Sequence, residues 1–254
     1  LLAGCRSGLS DYEFFTLDAP GAESDVGVSR ALASRFGFTH RAIALKQATE
    51  TETAVWDRMV GDCVIEAPRL THVTLRELTH HDAMFTGICG EVGRCRLYRQ
   101  DYGHINEMRI DARFLMDRLT LPRVPELQAD IAAWLAELSG QPNSVILDLA
   151  YHELKAGSWA MSQRPITNSI KLNFIPFAQR AVLEAFIGVE PARKGNHELF
   201  RATISNLWPE LSTVPINKYG DLRDLVVLWK KLITPNRLRR YLRDRLAGAK
   251  RAPA

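Results

Sequence analysis

Two hydrophobic periods divide this chain. Residues 12–18, Tyr-Glu-Phe-Phe-Thr-Leu-Asp, are rich in aromatic and β-favouring side chains and run into the turn Ala19-Pro20-Gly21-Ala22-Glu23, which predicts a strand. Val28, Leu32 and Phe36 then recur at i, i+4 and i+8, the stripe of a helix that Ser24 or Asp25 can cap and Gly37 can stop. Residues 40–45, His-Arg-Ala-Ile-Ala-Leu, read as the next strand. Strand, helix and strand joined by short loops form a βαβ unit, which predicts a parallel sheet. Residues 47–80 read as mainly helical, interrupted at Pro68, and a short buried strand is expected over 82–86.

Beyond residue 100 the pattern becomes almost wholly helical. The period predicts helices over 106–119 and 125–138, separated by Leu121-Pro122, then a helix through Leu147, Tyr151, Leu154 and Trp159 after the Gly140-Gln141-Pro142-Asn143 loop. A brief extended segment, Ile170-Lys171-Leu172-Asn173-Phe174-Ile175-Pro176-Phe177, leads into an amphipathic helix ending at Gly188. Helices near 196–207 and 221–233 precede a basic terminal helix. The expected organisation is an α/β portion over 1–100 and a helical portion over 101–254, with no linker, so that the two pack together. No internal repeat or low-complexity tract is visible.

The stretch Thr86-Gly87-Ile88-Cys89-Gly90-Glu91-Val92-Gly93-Arg94-Cys95-Arg96-Leu97-Tyr98 carries the chemistry of interest. It follows the 82–86 strand, and ligands of open α/β sheets bind at the carboxyl ends of strands. Small residues let backbone N–H groups approach a phosphate, and a nearby carboxylate can hold magnesium; a turn that merely ends a strand has the same composition. Arg94 and Arg96 offer bidentate forks for pyrophosphate or a carboxylate, or pair with local acids. His80-His81 cannot share a helix face and His72 has no carboxylate at ligand spacing, which argues against a metal role.

Composition sets the outer bounds. At 254 residues and 46% hydrophobic content the chain can bury a large core, and it has no run of eighteen apolar residues to cross a membrane as a helix. The four cysteines (Cys5, Cys63, Cys89, Cys95) form no Cys-x-x-Cys pair, so a structural zinc or a disulfide framework is not expected and a reducing, cytoplasmic setting is. Residues 230–251 hold nine basic residues against Asp244, a local +8 within a formal net +4, leaving −4 for the rest. Such a tail is either a contact for nucleic acid or anionic lipid, or a solvated helix face. The opening Leu1-Leu2-Ala3-Gly4-Cys5-Arg6 reads as the end of a helix, so an N-terminally truncated fragment is expected.

Several separated pieces together resemble one family. Phe15-Thr16-Leu17-Asp18-Ala19-Pro20-Gly21, with Ser24-Asp25 and a helix ending Arg35-Phe36-Gly37-Phe38-Thr39-His40, resembles the second βαβ unit of the synthetase domain of the asparagine synthase family, PP-loop ATP pyrophosphatases. Thr86-Gly87-Ile88-Cys89-Gly90-Glu91-Val92 is similar to that family's Ser-Gly-x-Gly-x-Asp-Glu-Leu loop. Tyr151-His152-Glu153 with Trp159, Asn173-Phe174-Ile175-Pro176-Phe177 and Val214-Pro215-Ile216-Asn217-Lys218 fall in matching order, so the resemblance is collinear over residues 12–220. It implies an α/β fold with a parallel sheet of HUP/PP-loop (adenine nucleotide alpha hydrolase-like) type and a helical C-terminal portion. The implied reaction adenylates a carboxylate with ATP and Mg2+, and ammonia or an amine then displaces AMP. By the same resemblance, Leu17 lies against adenine, Thr86 and Gly87 border the nucleotide, Arg94 adds a cation, Glu91 holds the magnesium, and Lys218 contacts the α-phosphate.

The departures from that family are equally definite. Its Ser-Gly-Gly-x-Asp-Ser loop is absent, as is the glutaminase-like domain that supplies ammonia, which leaves a separate or upstream donor as the implied partner. Without the first strand, an exposed sheet edge is expected. Ile88 stands where asparagine-forming members carry a glutamate, so another amide, or a ring closure, is the better expectation than asparagine. Two other readings stand beside the ligase: a noncatalytic homologue acting as a binding or scaffold module, and a tRNA-modifying PP-loop enzyme, against which the acidic body and the lack of an RNA-binding module argue.

Overall fold

The structure is a computed structural model, and it describes residues 1–61, 66–78, 83–215, 222, 224 and 225. Among these the architecture is α/β, mostly helical, with two small two-stranded sheets. The chain forms two compact units: Leu1–Ser7 with Ala44–Pro209, and Gly8–Ile43 with the described residues from Glu210 onward. The change of texture near residue 100 falls inside the larger unit. His80, His81, Cys63, Lys218, the basic tail and nearly all of the 221–233 segment lie outside the described residues.

In the smaller unit, β1 (Phe14–Asp18) and β2 (His40–Ala44) pair, and α1 (Glu23–Phe36) connects them. α1 starts earlier than a Ser24 or Asp25 cap would set it: Ala22 is the N-cap and makes no side-chain bond, so Glu23 and Asp25 act in the first turn against the helix dipole. Gly37 ends it as its composition requires, at φ 72°, with its N–H donating to Ala33 O. Thr16 Oγ1 lies 3.0 Å from both Ser29 Oγ and His40 Nε2, tying β1, α1 and β2 together.

The larger unit begins with α2 (Glu50–Val60), closed by a reciprocal capping box between Thr49 and Glu52. Pro68 does not interrupt a helix. It falls in the first turn of α3 (Glu66–Leu75), where its missing N–H forfeits no bond. β3 (Ala83–Phe85) pairs in parallel with β4 (Leu172–Phe174), in the register Ala83–Leu172, Met84–Asn173, Phe85–Phe174. Met84 and Asn173 are buried, while Phe85 and Phe174 stack 5.6 Å apart on the exposed face. Between the strands come α4 (Ala112–Leu119), α5 (Pro125–Glu137) and α6 (Asn143–Leu149). α6 runs on as a π-helix over Ala150–Ala160, followed by α7 (Arg164–Asn168). After β4 come α8 (Arg180–Ile187), stopped at Gly188, α9 (Pro191–Gly195) and α10 (Glu198–Leu207).

Two apolar clusters hold this unit. One gathers Leu115, Met116, Leu119, Ile131 and Leu147 around Tyr98 and Ile105; the other gathers Leu183, Phe186 and Ala156 around Cys89 and Val92. Asp148 lies buried at the end of α6 and Lys194 is buried on α9, with Nζ donating to Asp148 Oδ2 at 2.5 Å; Tyr98 Oη donates to the same oxygen at 3.1 Å. Burial pushes the Asp148 carboxyl up to about 6, against the pull of Lys194 and Tyr98. Lys194→Met removes the cation and leaves a buried carboxylate with one neutral donor, so a loss of about 3–5 kcal/mol in chemical denaturation is expected. A loss below about 1 kcal/mol would show that the pair carries no structural weight.

A second buried group makes stability depend on pH. His72 packs on Trp56 at 5.7 Å between ring centroids, and its Nδ1 has no partner. Burial, aided by Arg76 and opposed by Glu52, pushes its imidazole down to about 4 from 6.5. The unfolded chain therefore takes up this proton first on acidification. The contribution is complete above pH 6.5 and is lost as pH falls toward 4. After allowance for solvent screening it is about 1–2 kcal/mol. His72→Phe keeps the ring and should flatten the melting temperature between pH 6.5 and 4; an unchanged slope would assign that acid sensitivity to other groups.

Candidate functional site in the 86–98 loop

Thr86 N–H donates to Phe174 O at 3.0 Å, carrying the parallel ladder one residue past β3. The chain then turns sharply, with Gly90 N–H on Gly87 O at 3.1 Å. A Cβ at Gly90 would lie 3.0 Å from Gly87 O and 3.1 Å from the Phe177 ring, whereas a Cβ at Gly87 would meet nothing within 4 Å. One glycine is thus needed for packing, and the other leaves a stretch of backbone open to approach. A 3₁₀ turn over Val92–Arg94 follows, flanked by Cys89 at φ 71° and Cys95 at φ 45°. Two non-glycine residues in the left-handed region cost about 1–3 kcal/mol each. Both are fully buried, so packing holds them there.

The loop is wedged between the two apolar clusters. Cys89 and Val92 enter one; Cys95, Leu97 and Tyr98 enter the other. Its polar groups are consequently left at fixed positions. Thr86 Oγ1 and Glu91 Oε2 are buried and have no hydrogen-bond partner among the described residues, and neither has Asn173 Oδ1 on β4. Glu91 Oε1 lies 3.8 Å from Arg94 Nη2, a partly exposed pair of small energetic weight.

The π-helix supplies the other side of the site. Tyr151 lies beside Glu91, and burial together with that carboxylate holds its phenol well above the ordinary range. His152 Nδ1 is 3.8 Å from Cys89 Sγ. The pair resembles a nucleophile and its base, but the thiol is fully buried, and burial with the Glu91 charge beyond it raises its pKa. A reactive cysteine needs the opposite environment. Glu153 points elsewhere and accepts from Trp134 Nε1 at 2.8 Å.

Four of the residues selected from sequence, Thr86, Gly87, Glu91 and Arg94, therefore lie on one short loop. Leu17 is half-buried in β1 of the smaller unit, and Lys218 lies outside the described residues. Tyr151, His152 and Asn173 were visible in sequence only as parts of a resembling segment, with no role attached. Among the described residues no group of three or more His, Cys, Asp or Glu side chains could hold a metal, and no helix is long and apolar enough to cross a membrane. No family model, curated protein or solved structure matches the chain.

Cysteine accessibility tests this geometry. In native protein Cys89 and Cys95 should resist alkylation at pH 8 while half-buried Cys5 reacts, as read by peptide mass mapping. Labelling of Cys89 at the rate of a free thiol would contradict the packed loop.

Proposed function

We propose that this chain is an ATP-dependent ligase of asparagine synthase type, or a fragment of one, with a sheet of the PP-loop kind, that adenylates a carboxylate and forms an amide bond. The observation that carries the reading is the pair of unpartnered buried oxygens, Thr86 Oγ1 and Glu91 Oε2, in a glycine-bearing loop at the carboxyl end of a parallel strand. Buried polar atoms are rarely left without partners, and an ordered water or a bound ion is a fitting partner for these oxygens. Glu91 is a fitting magnesium ligand, because Mg2+ at nucleotide sites takes one or two carboxylates and completes its shell with phosphates and water.

In this reading the exposed Gly87 backbone borders the phosphates, Arg94 and Arg96 add cationic forks, and Lys218 stabilises charge at the α-phosphate. The assignment of Leu17 to adenine rests on the family resemblance alone. A carboxylate is a poor electrophile, and adenylation provides the leaving group that ammonia or an amine displaces; the loop residues hold and orient the charges. One observation favours a second reading, a noncatalytic binding module. Ile88 packs with Cys89, Val92 and Phe177 in an apolar cluster, so position 88 offers no group to handle the amine's proton.

Carboxylate-dependent ATP–pyrophosphate exchange by the native gene product separates the two. Glu91→Gln and Lys218→Ala are each expected to lower exchange by about a hundredfold or more, the loss of roughly 3 kcal/mol of transition-state stabilisation. Full exchange in either variant would remove that residue from the mechanism, and no exchange with a broad panel of acids would favour the binding module.

A further inference from the structure

A cationic cluster lies where the far end of the loop meets the start of α10. Gly93 sits against this helix, since a Cβ there would be 3.0 Å from Phe200 and 3.1 Å from Leu199, so Arg94 emerges beside its first turn. Arg201 N–H donates to His197 O at 3.1 Å, placing His197 and Arg201 one turn apart on one helix face. Arg99 Nη2 is 2.8 Å from His197 Nε2. The connection between α9 and α10 is held firmly: Tyr102 Oη donates to Asn196 Oδ1 at 3.1 Å, and Gly195 lies under the Tyr102 ring where no Cβ would fit. His197 itself sits at φ 60°.

The hydrogen-bonding logic of the cluster is one-sided. A guanidinium can only donate, so His197 Nε2 is an acceptor and the imidazole proton resides on Nδ1. Arg99 and Arg201 thus present donors that no nearby acid neutralises, while Arg94 shares its charge with Glu91. Glu198 is taken by Arg193 at 3.3 Å, and Glu91 is shared between Arg94, at 3.8 Å, and the Tyr151 phenol. Among the described residues neither Arg99 nor Arg201 has a carboxylate within ion-pair distance. In keeping with this, burial and the charges of Arg99, Arg94 and Arg201 lower the His197 pKa.

We propose that Arg99, Arg201 and His197 form a binding site for a phosphate-bearing small molecule, with Arg94 at the edge it shares with the Glu91 loop. A carboxylate carries one charge and two oxygens, which a single arginine fork satisfies. A phosphate monoester or pyrophosphate carries more charge and at least three acceptor oxygens, matching several guanidiniums converging from different elements. The site needs no metal, and it stands whether or not the chain is a ligase.

Calorimetric titration with inorganic pyrophosphate in the presence of EDTA tests it. The unmodified protein should bind, Arg99→Gln and Arg201→Gln should each weaken binding about tenfold, and Arg123→Gln, an exposed arginine paired with Asp117, should leave it unchanged. Circular dichroism melting confirms that the exposed arginine variants remain folded. No binding by the unmodified protein, or an affinity in either arginine variant equal to that of the unmodified protein, overturns the proposal. A loss in Arg123→Gln matching that in Arg99→Gln and Arg201→Gln also overturns it, by showing general charge attraction and no site. Failure of nucleotide exchange in Glu91→Gln is a separate result and bears only on the ligase reading.

Discussion

The larger unit depends on one buried carboxylate. Asp148 receives the Lys194 ammonium and the Tyr98 hydroxyl on the same oxygen, with all three side chains at most 2% exposed. Each partner comes from a different part of the chain: the end of α6, the short α9, and the last residue of the 86–98 loop. An isolated charge at that depth would cost several kcal/mol, so none of the three can leave without exposing the others to that penalty. The pair therefore fixes geometry more than it adds net stability. It also sets the electrostatics of its neighbour: burial, and then the Asp148 charge, pushes the Cys95 thiol up to about 11, which keeps it an uncharged packing residue.

From that anchor the loop runs back toward β3 as a packed wedge. Its apolar residues face two clusters, and Phe177, Phe186 and Phe200 close around Gly90 and Gly93, with ring centroids 5.7 to 6.4 Å apart. A loop so confined is preorganised. On the proposed reading, Thr86 Oγ1 and Glu91 Oε2 would not need to be ordered on binding, which lowers its entropic cost. The same packing explains why two cysteines can occupy the left-handed region and why Cys89 is unsuited to act as a nucleophile beside His152.

How much of this was legible in the sequence follows from the range of each interaction. β1, α1 with its stop at Gly37, α8 with its stop at Gly188, and the carboxyl-end loop are written in local periods and turn residues. Pro68 was misread because a proline in the first turn and a proline breaking a helix look alike until the helix start is known. The π-helix was invisible, since a 3.6 period is the template a helix is read against, yet its geometry is what brings Tyr151 and His152 to the loop. The partnership of Asp148 with Lys194, 46 residues apart, has no local signature at all. Of the site, the glycines and Glu91 could be chosen from composition, but that Glu91 keeps an unpartnered oxygen is a fact of packing.

On the proposed reading, Glu91 Oε2 takes a metal shared with a nucleotide. Binding of Mn2+, an octahedral oxygen-seeking stand-in for Mg2+, measured by electron paramagnetic resonance with and without ATP, tests it most directly. The account predicts weak Mn2+ binding alone, clear binding of Mn2+ together with ATP, and loss of the ternary signal in Glu91→Gln. An identical ternary signal in that variant would contradict it.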